Sequence, residues 1–106
     1  MHLLIGGYVE RQLTDRELYS MFPRLVDLLK VEAVTPLIVN KDDKGGLTAF
    51  QIIAESHISA HWLNDYCCAD IFSCKDFDSI AAKEFLANEL LFRDIKYCKL
   101  LQRGFE

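Results

Sequence analysis

Two prolines and five glycines in 106 residues are too few for a linker, a collagen-like repeat or a low-complexity tract. Long hydrophobic runs are missing as well: no stretch approaches the roughly 18 apolar residues of a membrane span. The apolar opening, Met1 to Val9, is short and lacks a basic leader and a small-residue cleavage site, so it does not read as a signal peptide. Positive charge is scarce. Twelve Lys and Arg stand against sixteen Asp and Glu, a net charge of −4, and no basic stripe accumulates. That pattern argues against a nucleic-acid partner and suits a cationic substrate. There is no Cys-x-x-Cys pair among Cys67, Cys68, Cys74 and Cys98. Free thiols in a reducing cytoplasm are the expectation, with neighbouring Cys67 and Cys68 on opposite strand faces. No glycine-rich phosphate cradle is present, since Gly45-Gly46 only closes a turn.

What is there is a globular balance: 51% hydrophobic and 26% charged residues. The length suits one domain, residues 1–106, around one core. His2 to Tyr8 reads as a strand, with Gly6-Gly7 as a bulge or close backbone approach. Thr14-Asp15-Arg16-Glu17 is a capping box, and Leu18, Phe22, Leu25 and Leu29 follow at helical spacing. Pro23 predicts a kink there, or a start nearer Ser20. Strands are expected at Leu37–Val39, Leu47–Ala54, Ile58–Leu63, Tyr66–Cys74 and Ile95–Leu101. A second helix, capped by Asp76 or Asp78 and running to about Leu91, is expected to turn Ile80, Ala81, Phe85 and Leu86 inward. The order β-α-β-β-β-β-α-β implies an α+β fold: two layers, a mainly antiparallel sheet with two helices on one face. The other face keeps apolar residues, so a homodimer is expected to cover it.

The densest information lies in Phe50-Gln51-Ile52-Ile53-Ala54-Glu55-Ser56-His57-Ile58-Ser59-Ala60-His61-Trp62, continued by Asp70-Ile71-Phe72-Ser73-Cys74. An apolar run leads into a serine, a histidine follows five residues later and a cysteine further on. This arrangement resembles the short prokaryotic S-adenosylmethionine decarboxylase proenzymes, from His2-Leu3-Leu4 to Lys99 and most closely between Leu47 and Cys74. The resemblance implies that Ser56 attacks the carbonyl of Glu55 and that the chain cuts itself between them. β-Elimination and hydrolysis then leave a pyruvoyl group, the cofactor, on the new N-terminus. That ketone forms a Schiff base with a substrate amine and serves as electron sink, the task of pyridoxal phosphate elsewhere.

The resemblance also carries roles for single residues. His61 would assist self-processing by moving a proton near neutral pH. Cys74 would be the acid that protonates the substrate carbon after CO2 leaves. By the strand period of two, Asp70 is expected on the same face as Cys74, where it either bonds the substrate or pairs with a neighbour. Thr48 stands where the family has a serine that positions the ester. His57 either polarises the new carbonyl or packs. Bland readings exist for each: a core histidine, a small buried thiol, a β-branched strand residue. Cys68 and Cys98 fit the second of these. Glu10 and Glu17 read as solvated or capping groups. A zinc centre from His57, His61, Cys67, Cys68 and Cys74 is the competing constellation, and it lacks metal-ligand spacing. No metal is expected.

Two departures from the family bear on the substrate. The loop Asn40-Lys41-Asp42-Asp43-Lys44 has no aromatic to stack on adenine. The family's His-Thr-Trp-Pro-Glu segment is shortened to His61-Trp62-Leu63-Asn64-Asp65, with Asp65 in place of the glutamate that touches ribose. S-adenosylmethionine remains the first expectation. Ornithine or arginine, held by carboxylates such as Asp42, Asp43 or Asp65, is the alternative, and a catalytically silent partner subunit is a third reading.

Overall fold

A computed structural model describes residues 1–102, and residues 103–106 of the expected domain lie outside that range. The chain runs β1 (His2–Val9), α1 (Asp15–Leu29), β2 (Ile38–Lys41), β3 (Gly46–Ile53), β4 (Ser56–Leu63), β5 (Tyr66–Phe72), α2 (Ser79–Glu89) and β6 (Phe92–Leu101). The six strands form one sheet in the order β2-β3-β4-β5-β1-β6, and every neighbouring pair is antiparallel. Tight turns produce the β3-β4-β5 meander. β1 then closes the far side, inserted between β5 and β6.

Alternation along the strands gives the sheet two unlike faces. Leu3, Ile5 and Val9 of β1, Leu47, Ala49 and Ile53 of β3, Ile58, Ala60 and Trp62 of β4, and Cys67, Ala69 and Ile71 of β5 are buried. They share one core cluster with Leu18, Met21, Phe22, Leu25, Val26 and Leu29 of α1 and with Ala82 and Leu86 of α2. Ala49, Ala60 and Ala69 are directly paired across three strands. Their small side chains leave volume for bulky helical residues such as Phe22, which is fully enclosed. Burying one such side chain stabilises the fold by about 1.5–3 kcal/mol.

The helix ends follow local chemistry. Thr14 Oγ1 accepts from the Glu17 amide at 3.2 Å, and Glu17 Oε1 accepts from the Thr14 amide at 2.9 Å, the reciprocal pair the sequence predicts. Asp78 caps α2 through the Ala81 amide. Helix α1 runs unbroken through Pro23, which lies at an exposed position. The close approach at Gly6 is real: a Cβ there would collide with the Tyr97 ring, and the β1–β6 register shifts between Gly6 and Gly7.

Several expectations need correction. Ile80 is 72% exposed and Ala81 only half-buried; Ala82 and Leu86 carry the inner face of α2. β5 ends at Phe72, so Ser73 and Cys74 lie beyond the strand. β4 starts at Ser56 itself rather than at Ile58, and β6 starts at Phe92 rather than Ile95. No helix among the described residues is long and apolar enough to cross a membrane.

Candidate active site

The two-residue turn Ala54-Glu55 joins β3 to β4. Glu55 has φ of 59°, a left-handed conformation that costs a side-chain-bearing residue roughly 1–2 kcal/mol. Ser56 follows as the first residue of β4 and is buried. The segment after β5 folds back over this turn. The Cys74 amide donates to Ser56 Oγ at 2.9 Å, and the Cys74 thiol donates to the Glu55 carbonyl oxygen at 3.1 Å. One residue therefore holds both the Ser56 hydroxyl and the Glu55 carbonyl.

Strand parity separates the remaining candidates. His61 lies five residues beyond Ser56, an odd step, so it points to the face without helices. It is also about 16 Å along β4, at about 3.3 Å per residue. There it meets Thr48 on the paired strand, Nδ1 to Oγ1 at 3.0 Å. Asp65 sits in the turn beyond the far end of β4, ion-paired with Arg93 at 3.0 Å. Within one chain, Glu55, Ser56 and Cys74 come together, Thr48 and His61 form a second pair, and Asp65 stands apart from both.

Asp70 does not share a face with Cys74, because the strand stops between them. Its carboxylate lies on the open face at the centre of a compact cluster. Oδ2 meets His2 Nε2 at 2.7 Å and His57 Nε2 at 3.0 Å, while Ser59 Oγ donates to Oδ1. Burial works to raise the Asp70 pKa. Hydrogen bonds from Ser59, His2 and His57 outweigh it and bring the carboxyl below its ordinary value. Phe50 stacks on His57 at 5.6 Å between ring centroids, and Phe72 packs edge-on to His2 at 5.5 Å. His57 thus packs, and its ring nitrogen serves Asp70.

His2 and Ser59 were not singled out in the sequence. Ser59 was within reach: a tight turn at Asn64-Asp65 pairs Leu63 with Tyr66, which sets Ser59 opposite Asp70. His2 was not, since β1 joins β5 only through long-range pairing.

The competing zinc constellation is dispersed. Cys67 points into the core, where burial raises its thiol pKa, and Cys74 lies beyond the strand beside Ser56. All four cysteines are free, with Cys68 and Cys98 half-buried.

An antiparallel sheet under two helices, with a left-handed Glu55 before Ser56 and a cysteine clasping that turn, defines an α+β protein whose candidate site lies at the Glu55–Ser56 turn. The sequence matches the S-adenosylmethionine decarboxylase family over residues 2–104, and the chain belongs to that family. It is 29% identical over 113 aligned positions to the S-adenosylmethionine decarboxylase proenzyme of Pyrobaculum neutrophilum, an alignment covering 87% of this chain and 91% of that relative.

Proposed function

We propose that the chain is a proenzyme that cuts itself between Glu55 and Ser56 and then decarboxylates S-adenosylmethionine, supplying an aminopropyl donor for spermidine synthesis. The observation that carries this reading is the double hold of Cys74 on the Glu55 carbonyl and the Ser56 hydroxyl. A thiol proton on the carbonyl oxygen stabilises the charge that develops as Oγ attacks. The Oγ–carbonyl bond forms, the Glu55–Ser56 amide breaks, and the nitrogen takes the hydroxyl proton. Loss of the Ser56 α-proton then expels the Glu55 carboxylate and leaves dehydroalanine. Water converts this to pyruvoyl and releases ammonia. The left-handed Glu55 adds strain that the cut relieves.

The pyruvoyl ketone supplies the electron sink for decarboxylation. After cleavage the Cys74 thiol stays beside the new N-terminus, able to deliver a proton to the substrate carbon. His61 is the proton carrier of this reading, yet it lies on the other face. A second copy laid against the open sheet face brings its own Thr48–His61 pair toward the first copy's turn. Apolar residues on that face support such a homodimer: Ile38, Ile52 and Leu63 are 55%, 40% and 62% exposed.

A competition assay with labelled substrates tests the reading. The expected result is a higher kcat/KM for S-adenosylmethionine than for ornithine, arginine or lysine. A preference for a basic amino acid, weakened by replacing Asp42, Asp43 or Asp65, would install the alternative. No carboxyl release from any of them would leave the silent-subunit reading.

A further inference from the structure

We infer that His2, His57 and Asp70 form a binding site for a divalent d-block cation of the zinc type, on the open face of the sheet. Three strands contribute one ligand each: β1, β4 and β5. The two imidazole nitrogens and a carboxylate oxygen all lie within 4.8 Å of one another. Two imidazoles and one carboxylate are a donor set suited to zinc and its first-row neighbours, and one that hard cations such as magnesium do not favour.

The geometry supports more than composition. Both imidazoles aim Nε2, not their edges, at the same oxygen, Asp70 Oδ2. Without metal, that oxygen is bridged by two N–H groups. With metal, the cation replaces the bridging protons: each imidazole nitrogen moves a few tenths of an ångström away from Asp70 Oδ2, and the two nitrogens, within 4.8 Å of each other, settle toward the same tetrahedral spacing of about 3.3 Å. Ser59 holds the carboxylate's other oxygen, the kind of outer contact that orients a ligand. The rings are fixed too, His57 by stacking on Phe50 and His2 by Phe72. Side-chain exposures of 12% for His2, 30% for His57 and 20% for Asp70 leave a way in from the open face.

The chain has three histidines, which makes the test clean. Zinc titration by calorimetry and cobalt titration by visible absorption are run on the wild type and on Ser56→Ala. In the latter, His57 keeps its place whether or not the wild type cuts itself. The expected result is one saturable site per chain with tetrahedral cobalt bands and no thiolate charge-transfer band. His2→Gln, His57→Gln and Asp70→Asn should each weaken binding about tenfold or more. His61→Gln and Cys74→Ser should leave it unchanged. Should a variant fail to fold, paramagnetic shifts of the His2 and His57 ring protons in the cobalt-loaded Ser56→Ala chain decide the matter. Absence of a saturable site, a thiolate band, unshifted His2 and His57 rings, or full affinity in the three folded variants would overturn the inference. The outcome is independent of the decarboxylase reading, which self-cleavage and carboxyl release test separately.

Discussion

Glu55 occupies a conformation that glycine adopts without cost, and a two-residue turn forces it there. In the non-cleaving Ser56→Ala background, Glu55→Gly should therefore stabilise the chain by roughly 1 kcal/mol, read as a higher Tm. Cys74 permits a sharper discrimination. Cys74→Ser keeps a donor for the Glu55 carbonyl and should still allow cleavage, while turnover falls or diverts because the acid has changed. Cys74→Ala removes the donor and should slow cleavage about tenfold, the equivalent of one hydrogen bond of about 1.4 kcal/mol. Equal cleavage rates for the serine and alanine variants, followed by band intensity on denaturing gels, would show that the thiol contact does nothing for processing. At this scale the sequence was legible where chemistry is local. Glu55, Ser56 and Cys74 are singled out through the family resemblance, and the structure brings them together. The clasp was not legible, because it depends on the chain leaving the strand after Phe72.

At the scale of elements, the N-terminus of α1 is the clearest case of sequence dictating structure. Thr14 and Glu17 satisfy each other's amides, and Arg11 reaches Glu17 at 2.7 Å. Thr14→Ala should cost about 1 kcal/mol in chemical denaturation. The Arg11 hydrogen bond, joined by the Thr14 amide, lowers the Glu17 pKa from 4.5 to about 2. A depressed carboxylate pKa stabilises the fold above the ordinary value and loses that contribution as pH falls through the folded one. Glu17→Gln should therefore flatten the loss of stability between pH 4.5 and about 2. The effect stays below about 1 kcal/mol because the pair is solvent-screened. The β3-β4-β5 meander was readable from its turns, and so was strand parity. An odd spacing of five between Ser56 and His61 already separates their faces. The insertion of β1 between β5 and β6 was not readable, since nothing local encodes it. Ile80 was assigned inward because its type fits a core, yet it lies in the first turn of α2, where the inner face begins at Ala82.

At the scale of the whole molecule, the helices cover one face and leave the other open, with Thr48, His61 and the Asp70 cluster on it. If a second copy completes the processing site, mixing should rescue it. A chain with Ser56→Ala and intact His61, refolded together with a chain carrying His61→Ala and intact Ser56, should restore cleavage of the latter. Each alone should stay whole. Failure of rescue in mixed dimers verified by native mass measurement would confine His61 to a structural role. The central claim is simpler and comes before any substrate. Denaturing mass spectrometry of the purified wild-type chain should give two fragments that part between Glu55 and Ser56, the second beginning with a carbonyl-reactive pyruvoyl group in place of Ser56. After prolonged incubation, a single intact mass of 12.2 kDa with no carbonyl-reactive N-terminus would contradict the account.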